Sequence, residues 1–235
     1  MGTARRRFSV LFTASLALLV SGGSNGQDGQ PSSSPGSCGF TQSVREATVA
    51  EVRAFFSAAG KTVVTFVGYS GSGYEDEAAM LVAAAGILDD FAPAETIVNI
   101  GATPDGIGAV YELAARRGFV TTGIVSTQAR EQGVQLSPCA ARVFYIKDHS
   151  WGGMVDEGGR ARLSPTSEAM VGVSDVMVGI GGGEVARDEL LSARAAGRDV
   201  RFIPADMNHQ RAIDKARKRG LPAPQSFHGA AADAL

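Results

Sequence analysis

Backbone amides are the first chemistry this sequence offers. Three glycine-rich stretches each stand directly behind a short apolar, β-branched run. Gly68-Tyr69-Ser70-Gly71-Ser72-Gly73 follows residues 62–67. Glycine turns a chain tightly and leaves N–H groups open to an anion at the start of the following helix. Ser70 and Ser72 add hydroxyl donors, whereas Glu75, Asp76 and Glu77 oppose a phosphate lying deep in that turn. The second stretch, residues 101–108, carries Gly101, Asp105 and Gly106-Ile107-Gly108. Close packing of helix on strand explains those glycines equally well, and Asp105 suits a helix cap. The third stretch puts Gly181-Gly182-Gly183-Glu184 behind residues 175–180. Three successive glycines ahead of a helix make it the sharpest candidate for a phosphate cradle. No Lys-Ser/Thr pair follows, so it is not a P-loop, and its spacing is not the dinucleotide fingerprint. The ligand-binding set read from the sequence is therefore Gly68, Ser70, Gly71, Gly73, Gly101, Asp105, Gly106, Gly181, Gly182, Gly183 and Glu184, and the ligand is a nucleotide or a nucleotide-derived phosphate.

Several residues outside these loops also have types that could do chemistry. Trp151, the single tryptophan, follows Lys147-Asp148-His149-Ser150 and suits either stacking on a base or a place at the edge of the core; the latter is the favoured reading. Asp206, Asn208 and His209 end a strand and open a helix, where capping by Asn208 explains them. Arg211, Lys215, Arg217, Lys218 and Arg219 read as a solvated helix face with cations near the negative dipole end. His149, His209 and His228 have no metal-ligand spacing, so neither a metal nor a cofactor is expected. No Gly-x-Ser-x-Gly elbow is present, which leaves a serine hydrolase of that type unsupported.

The elements that must position these loops alternate. Short β-branched or apolar runs at residues 62–67, 96–100, 119–125, 142–146, 175–180 and 200–204 predict strands. Residues 48–59, 74–91, 106–117, 165–173, 184–196 and 209–219 predict helices. This alternation predicts an α/β fold: a three-layer, Rossmann-like doubly wound parallel sheet with helices on both faces. In such sheets ligands sit at the carboxyl ends of strands, near the switch in strand order, where all three loops fall.

The N-terminal region reads differently. Arg5, Arg6 and Arg7 precede an apolar stretch at 8–20 and the small residues Ser21, Gly22 and Gly23, the order of a secretory signal. The arginines followed by Phe8 also resemble the twin-arginine export motif. The apolar stretch is shorter than the ~20 residues that span a bilayer, so membrane attachment arises only if the leader stays uncleaved. The expected division is an export signal at 1–26, a flexible linker at 27–39, and one domain at 40–235. The expected destination is periplasmic or extracellular. Hydrophobic residues make up 44% and charged residues 20%, as in ordinary globular chains. Removing the three leader arginines from a net charge of −2 leaves about −5, an acidic balance that argues against nucleic acid as a partner. Cys38 and Cys139 suit either a disulfide in an oxidising compartment or two separate thiols.

The loops together resemble the SLOG superfamily and, within it, the Lonely Guy family, once described as lysine decarboxylases. Val64, Phe66, Gly68, Ser70, Gly71 and Gly73 fit its opening strand and loop, and Gly101 with Gly106-Ile107-Gly108 fits its second loop. Gly118 and Thr122-Gly123-Ile124-Val125 fit the next helix end and strand. Ser174-Asp175 and the glycines from Gly181 fit its Ser-Asp and Pro-Gly-Gly-x-Gly-Thr-x-x-Glu hallmark. The likeness runs from Thr62 to about Arg219. Gly181 replaces the motif's Pro, and Val185 and Ala186 replace its second Gly and its Thr. Asp188 is taken as the replacement for its catalytic Glu, Glu189 is expected to face elsewhere, and Thr166 stands where the family has Arg. The resemblance implies a phosphoribohydrolase, which releases a base from a nucleoside monophosphate. A carboxylate suits the positive charge that develops on the ribose, and Asp188 is the catalytic candidate. Three readings stay open. The first is a binding protein of sensor or carrier type, the second is that hydrolase, and the third is a scaffold keeping only the fold. A homodimer is expected by analogy with similar folds.

Overall fold

The computed structural model describes residues 38–235. The expected export signal at 1–26 and most of the expected linker lie outside the described residues. Among the described residues no helix is long and apolar enough to cross a membrane.

Seven parallel strands form the central sheet. In chain order they are β1 (Ser43–Glu46), β2 (Thr62–Gly68), β3 (Thr96–Ile100), β4 (Val120–Ser126), β5 (Arg142–Ile146), β8 (Val176–Ile180) and β9 (Asp199–Ile203). A separate antiparallel hairpin of β6 (Met154–Asp156) and β7 (Ala161–Leu163) lies between β5 and β8 in sequence. The order across the main sheet is β1-β5-β4-β3-β2-β8-β9, with every pairing parallel. The chain winds outward from β2 through β3, β4 and β5, then returns to the other side of β2 as β8 and β9. The switch in strand order therefore falls between β2 and β8, as expected for a doubly wound sheet.

The inner strands β2, β3, β4, β5 and β8 are buried on both faces, which is why they read as nearly continuous apolar runs. Val64, Phe66, Val98, Ile100, Val143 and Val178 pack against α2 (Glu77–Leu88) and α3 (Val110–Arg116). Val63, Val67, Ile97, Ile124, Phe144 and Met177 pack against α1 (Val49–Ala59), α5 (Pro165–Val173) and α6 (Glu184–Ala195). The local signals act where they stand. Thr48 and Glu51 form a capping box on α1, and Gly60 ends that helix at φ 60°. Ser164 caps α5, with Pro165 in the first turn. Among the described residues the remaining α-helices are α4 (Thr127–Glu131), α7 (His209–Lys218) and α8 (Gly229–Ala232).

Two segments fix the edges. Cys38 and Cys139 form a disulfide with their Cα atoms 5.2 Å apart, which decides between the two readings of these cysteines. Gln42 adds side-chain hydrogen bonds to the carbonyls of Ser137 and Ala140. At the other end, residues 226–235 fold back onto the loop after β8: the Ala231 amide donates to the Gly182 carbonyl and the Met207 amide to that of Phe227.

Candidate functional site

The loops after β2, β3 and β8 converge because their strands are neighbours. The Ile107 amide donates to the Tyr69 carbonyl at 2.7 Å, which joins the first loop to the second. Gly106 has φ +60°, and a Cβ there would collide with the Tyr69 carbonyl oxygen and lie 2.5 Å from that of Ser70. Gly68 lies against β8: a Cβ would meet the Ile180 carbonyl oxygen at 2.7 Å. These glycines are thus required by close approach of backbone to backbone.

The loops after β2 and β3, with residues of α5 and α6, enclose a cavity of about 230 Å³ at the carboxyl ends of β2, β3 and β4. Its walls are apolar: Phe66, Val67, Ile100, Ile107, Ile124, Val125 and Met170. Its polar groups are few: Ser70, Thr103, Ser126, Thr166 and Glu189, with Trp151 at the rim. A largely apolar pocket with a small number of placed polar groups is the usual form of a small-molecule site.

Glu189 is the acid of this cavity. It lies in α6, is 4% exposed, and accepts a hydrogen bond from the Ser167 hydroxyl at 2.6 Å. Burial pushes its carboxyl up to about 7, and the nearby Asp188 charge adds to that, against the opposing hydrogen bond from Ser167. Asp188 is not among the lining residues. Its carboxylate is held by Arg187 at 2.8 Å and accepts from the Met154 amide at 2.8 Å. Asp188 thereby anchors the segment that carries Trp151. The expectation that Glu189 faces elsewhere is reversed. The residue count agrees: with Gly181 at the motif's Pro and Val185 and Ala186 at its Gly and Thr, the motif's acid falls on Glu189.

Thr166 stands where the resemblance has an arginine. It is buried, and its hydroxyl makes no hydrogen bond. Asp148 lies near enough to feel that hydroxyl. Burial raises the Asp148 carboxyl, but the amides of Thr166 and Ser150 and the side chains beside them outweigh it and hold the group below its ordinary value. Asp148 is therefore a structural anion, tying the strand end at residue 148 to the start of α5.

The third loop behaves unlike its sequence expectation. Gly181 (φ +55°) packs against the Tyr69 ring, where a Cβ would lie 2.6 Å from Cε2. The Gly182 carbonyl accepts from the Ala231 amide. Tyr69 Oη in turn reaches the carbonyls of Ala205 and Phe227 at 3.3 Å. Gly181 and Gly182 are thus occupied by the protein's own Tyr69 and C-terminal segment, whereas Gly183 stays partly exposed. Gly181, Gly182, Gly183 and Glu184 do not line the cavity; Val185 and Ala186, one turn on, do.

The remaining sequence candidates divide. Gly68, Ser70 and Gly101 line the inner cavity. Gly71 and Asp105 line a second, outer hollow of about 710 Å³, which shares Ser70, Thr103 and Trp151 with the first. Gly73 (φ +63°) and Gly106 line neither hollow and serve the turns. Trp151 is 45% exposed at the junction, so it is not a core-edge residue. Asn208 caps α7 by accepting from the Arg211 amide. Sequence reasoning missed Glu189 and Ser167 as a pair; the motif's spacing, counted in register, was the signal for the first. Among the described residues no group of three or more His, Cys, Asp or Glu is arranged to hold a metal.

No family model matches the chain, and no curated protein matches it. Among solved structures it is similar to a molybdenum cofactor carrier protein from Chlamydomonas reinhardtii, at 15% identity over 60% of this chain and 76% of that one, with a TM-score of 0.43. It is also similar to TM1055, a structural-genomics target, at 19% identity over 59% of this chain and 72% of that one, with a TM-score of 0.42.

Proposed function

We propose that the protein binds a nucleotide or nucleotide-derived small molecule, with the uncharged head of the ligand in the inner cavity. One observation carries this reading. An apolar hollow at the switch point of a doubly wound sheet contains two buried polar groups, the Thr166 hydroxyl and the Glu189 carboxyl, poised to meet a ligand's hydrogen-bonding edge. An unsatisfied buried hydroxyl costs stability, and a ligand that bonds it recovers that cost. The aromatic rim at Trp151 suits stacking on a planar ring. Thermal unfolding in the presence of adenosine, guanosine and their monophosphates tests it: at least one should raise the midpoint, and Thr166→Val should weaken that ligand. No stabilisation by any of them would leave the scaffold reading.

A second reading rests on Glu189. A carboxyl held near neutral pKa by burial is suited to general acid–base work on an N-glycosidic bond. That is the phosphoribohydrolase reaction of the resemblance, with Glu189 in place of Asp188. Two features weigh against it: no arginine lines the inner cavity, and the triple-glycine loop is filled. Release of free base from a nucleoside monophosphate, lost in Glu189→Gln and kept in Asp188→Asn, would establish it. The Cys38–Cys139 disulfide supports the export reading, since such bonds persist in oxidising compartments. Fractionation of cells expressing the full chain tests that placement.

A further inference from the structure

We propose that the outer hollow is the anion subsite of the same ligand, and that the ligand carries two or more phosphoryl groups. This rests on the inner cavity being the head subsite. The outer hollow is lined by Arg211, Lys215, Lys218 and Arg219 from α7 and the turn that ends it, facing Ser70, Ser72 and Trp151. Four cations stand there against two carboxylates, Asp105 and Asp214.

The bland account of these cations is a solvated helix face favoured by the dipole. That account fits Lys215 and Lys218 in the last turn. It does not fit Arg211, which lies in the first turn, where the dipole opposes a cation. Arg211, Lys215 and Lys218 are spaced four and three apart, so they share one face, while Ala212 and Ala216 are buried on another. Among the described residues none of the four lining cations makes an ion pair; Asp214 pairs instead with Arg217. Their charge is available to a ligand.

The hollow is also held in place. The Asn208 amide donates to the Gly73 carbonyl, the Glu75 amide to that of Asp206, and the Glu75 carboxylate accepts from the His209 amide at 2.9 Å. The Arg211 guanidinium lies over Gly73, where a Cβ would stand 2.8 Å from Nη1. These bonds fix the start of α7 against the loop after β2. That loop's Ser70, with Thr103 and Trp151, belongs to both hollows, so the outer one begins where the inner one ends. Phosphate binding is thus displaced outward from the filled triple-glycine loop onto α7. One phosphoryl at the junction meets the Ser70 hydroxyl, and those beyond it meet the α7 cations.

The test uses the full chain and calorimetric titration with adenosine, AMP, ADP, ATP and inorganic tripolyphosphate, and with the guanosine series. The expected result is about tenfold or more tightening from mono- to diphosphate, the scale of one or two charge-assisted hydrogen bonds. Lys215→Glu with Lys218→Glu should abolish that gain and leave nucleoside binding unchanged. Tripolyphosphate alone should bind weakly, compete with ADP, and lose its binding in the double variant. Equal affinity for AMP and ADP, or a gain that survives the double variant, overturns the subsite. If the nucleosides fail to bind while tripolyphosphate binds and is lost in the double variant, the anion subsite stands and the head-group reading fails.

Discussion

Two glycine-rich loops stand side by side at the switch point, after β2 and after β8, and they have opposite fates. The loop at 68–73 leaves Ser70 and Gly71 facing a hollow. The loop at 181–183, richer in consecutive glycines, is filled at Gly181 and Gly182 by the Tyr69 ring and the C-terminal segment. The contrast teaches that a glycine run records close approach of something to the backbone, and only the tertiary fold decides whether that something is a ligand or the protein itself. Tyr69 supplies both outcomes. It belongs to the open loop, and its side chain closes the other.

Four measurements break or sharpen that contrast. Gly106→Ala should have the largest effect, a loss of about 3 kcal/mol in urea unfolding, because it combines a positive φ with collision against the backbone of 69–70. A near-neutral result would mean that the open loop is not held by this contact. Glu189 provides the next effect. Its carboxyl is raised in the fold, so between pH 4.5 and about 7 the folded state binds a proton that the unfolded state has released. Stability should therefore fall as pH rises through that window, by on the order of 3 kcal/mol, and level off above it. Glu189→Gln should flatten this slope in unfolding midpoints measured from pH 4.5 to 8; an unchanged slope would show that the open cavity's acid is not desolvated. Tyr69→Phe removes the hydroxyl that reaches the Ala205 and Phe227 carbonyls, at about 1–2 kcal/mol, and should raise hydrogen exchange at the Met207 and Ala231 amides. Protection unchanged at both amides would contradict the sealing. Smallest of all, Gly71→Ala should change stability by no more than about 0.5 kcal/mol, since a Cβ there meets nothing within 4 Å.

The sheet and its main helices were legible because each rests on a local pattern. Continuous apolar runs mark strands buried on both faces, and Thr48, Gly60, Ser164 and Pro165 mark helix ends. Elements without such a pattern were not read. Ser43–Glu46 is exposed at every position and forms a strand only because β5 offers it an edge. The hairpin at Met154–Leu163 is three residues a side and lacks a buried alternating face. The site was legible as a place, through loops at strand ends, but not in its membership. Asp188 and Glu189 are neighbours in sequence and differ by about a hundred degrees around the helix, so a slip of one residue exchanges an anchor for a cavity group. Trp151 and the α7 cations reach the site through contacts between segments some 60 residues apart, which no local spacing encodes.

The Cys38–Cys139 bridge also sets a path for force. β1 is an edge strand, held in the sheet only by its ladder to β5, and a pull from the N-terminal side would load that ladder. The bridge lies just ahead of β1 and hands tension directly to Cys139, in the connection leading into β5. Whatever is attached before residue 38, whether translocation machinery, a neighbouring module or a surface, tugs on a covalent clamp, and the load bypasses β1. In a pulling experiment the oxidised chain should resist longer than the reduced one, since rupture under load is a matter of rates.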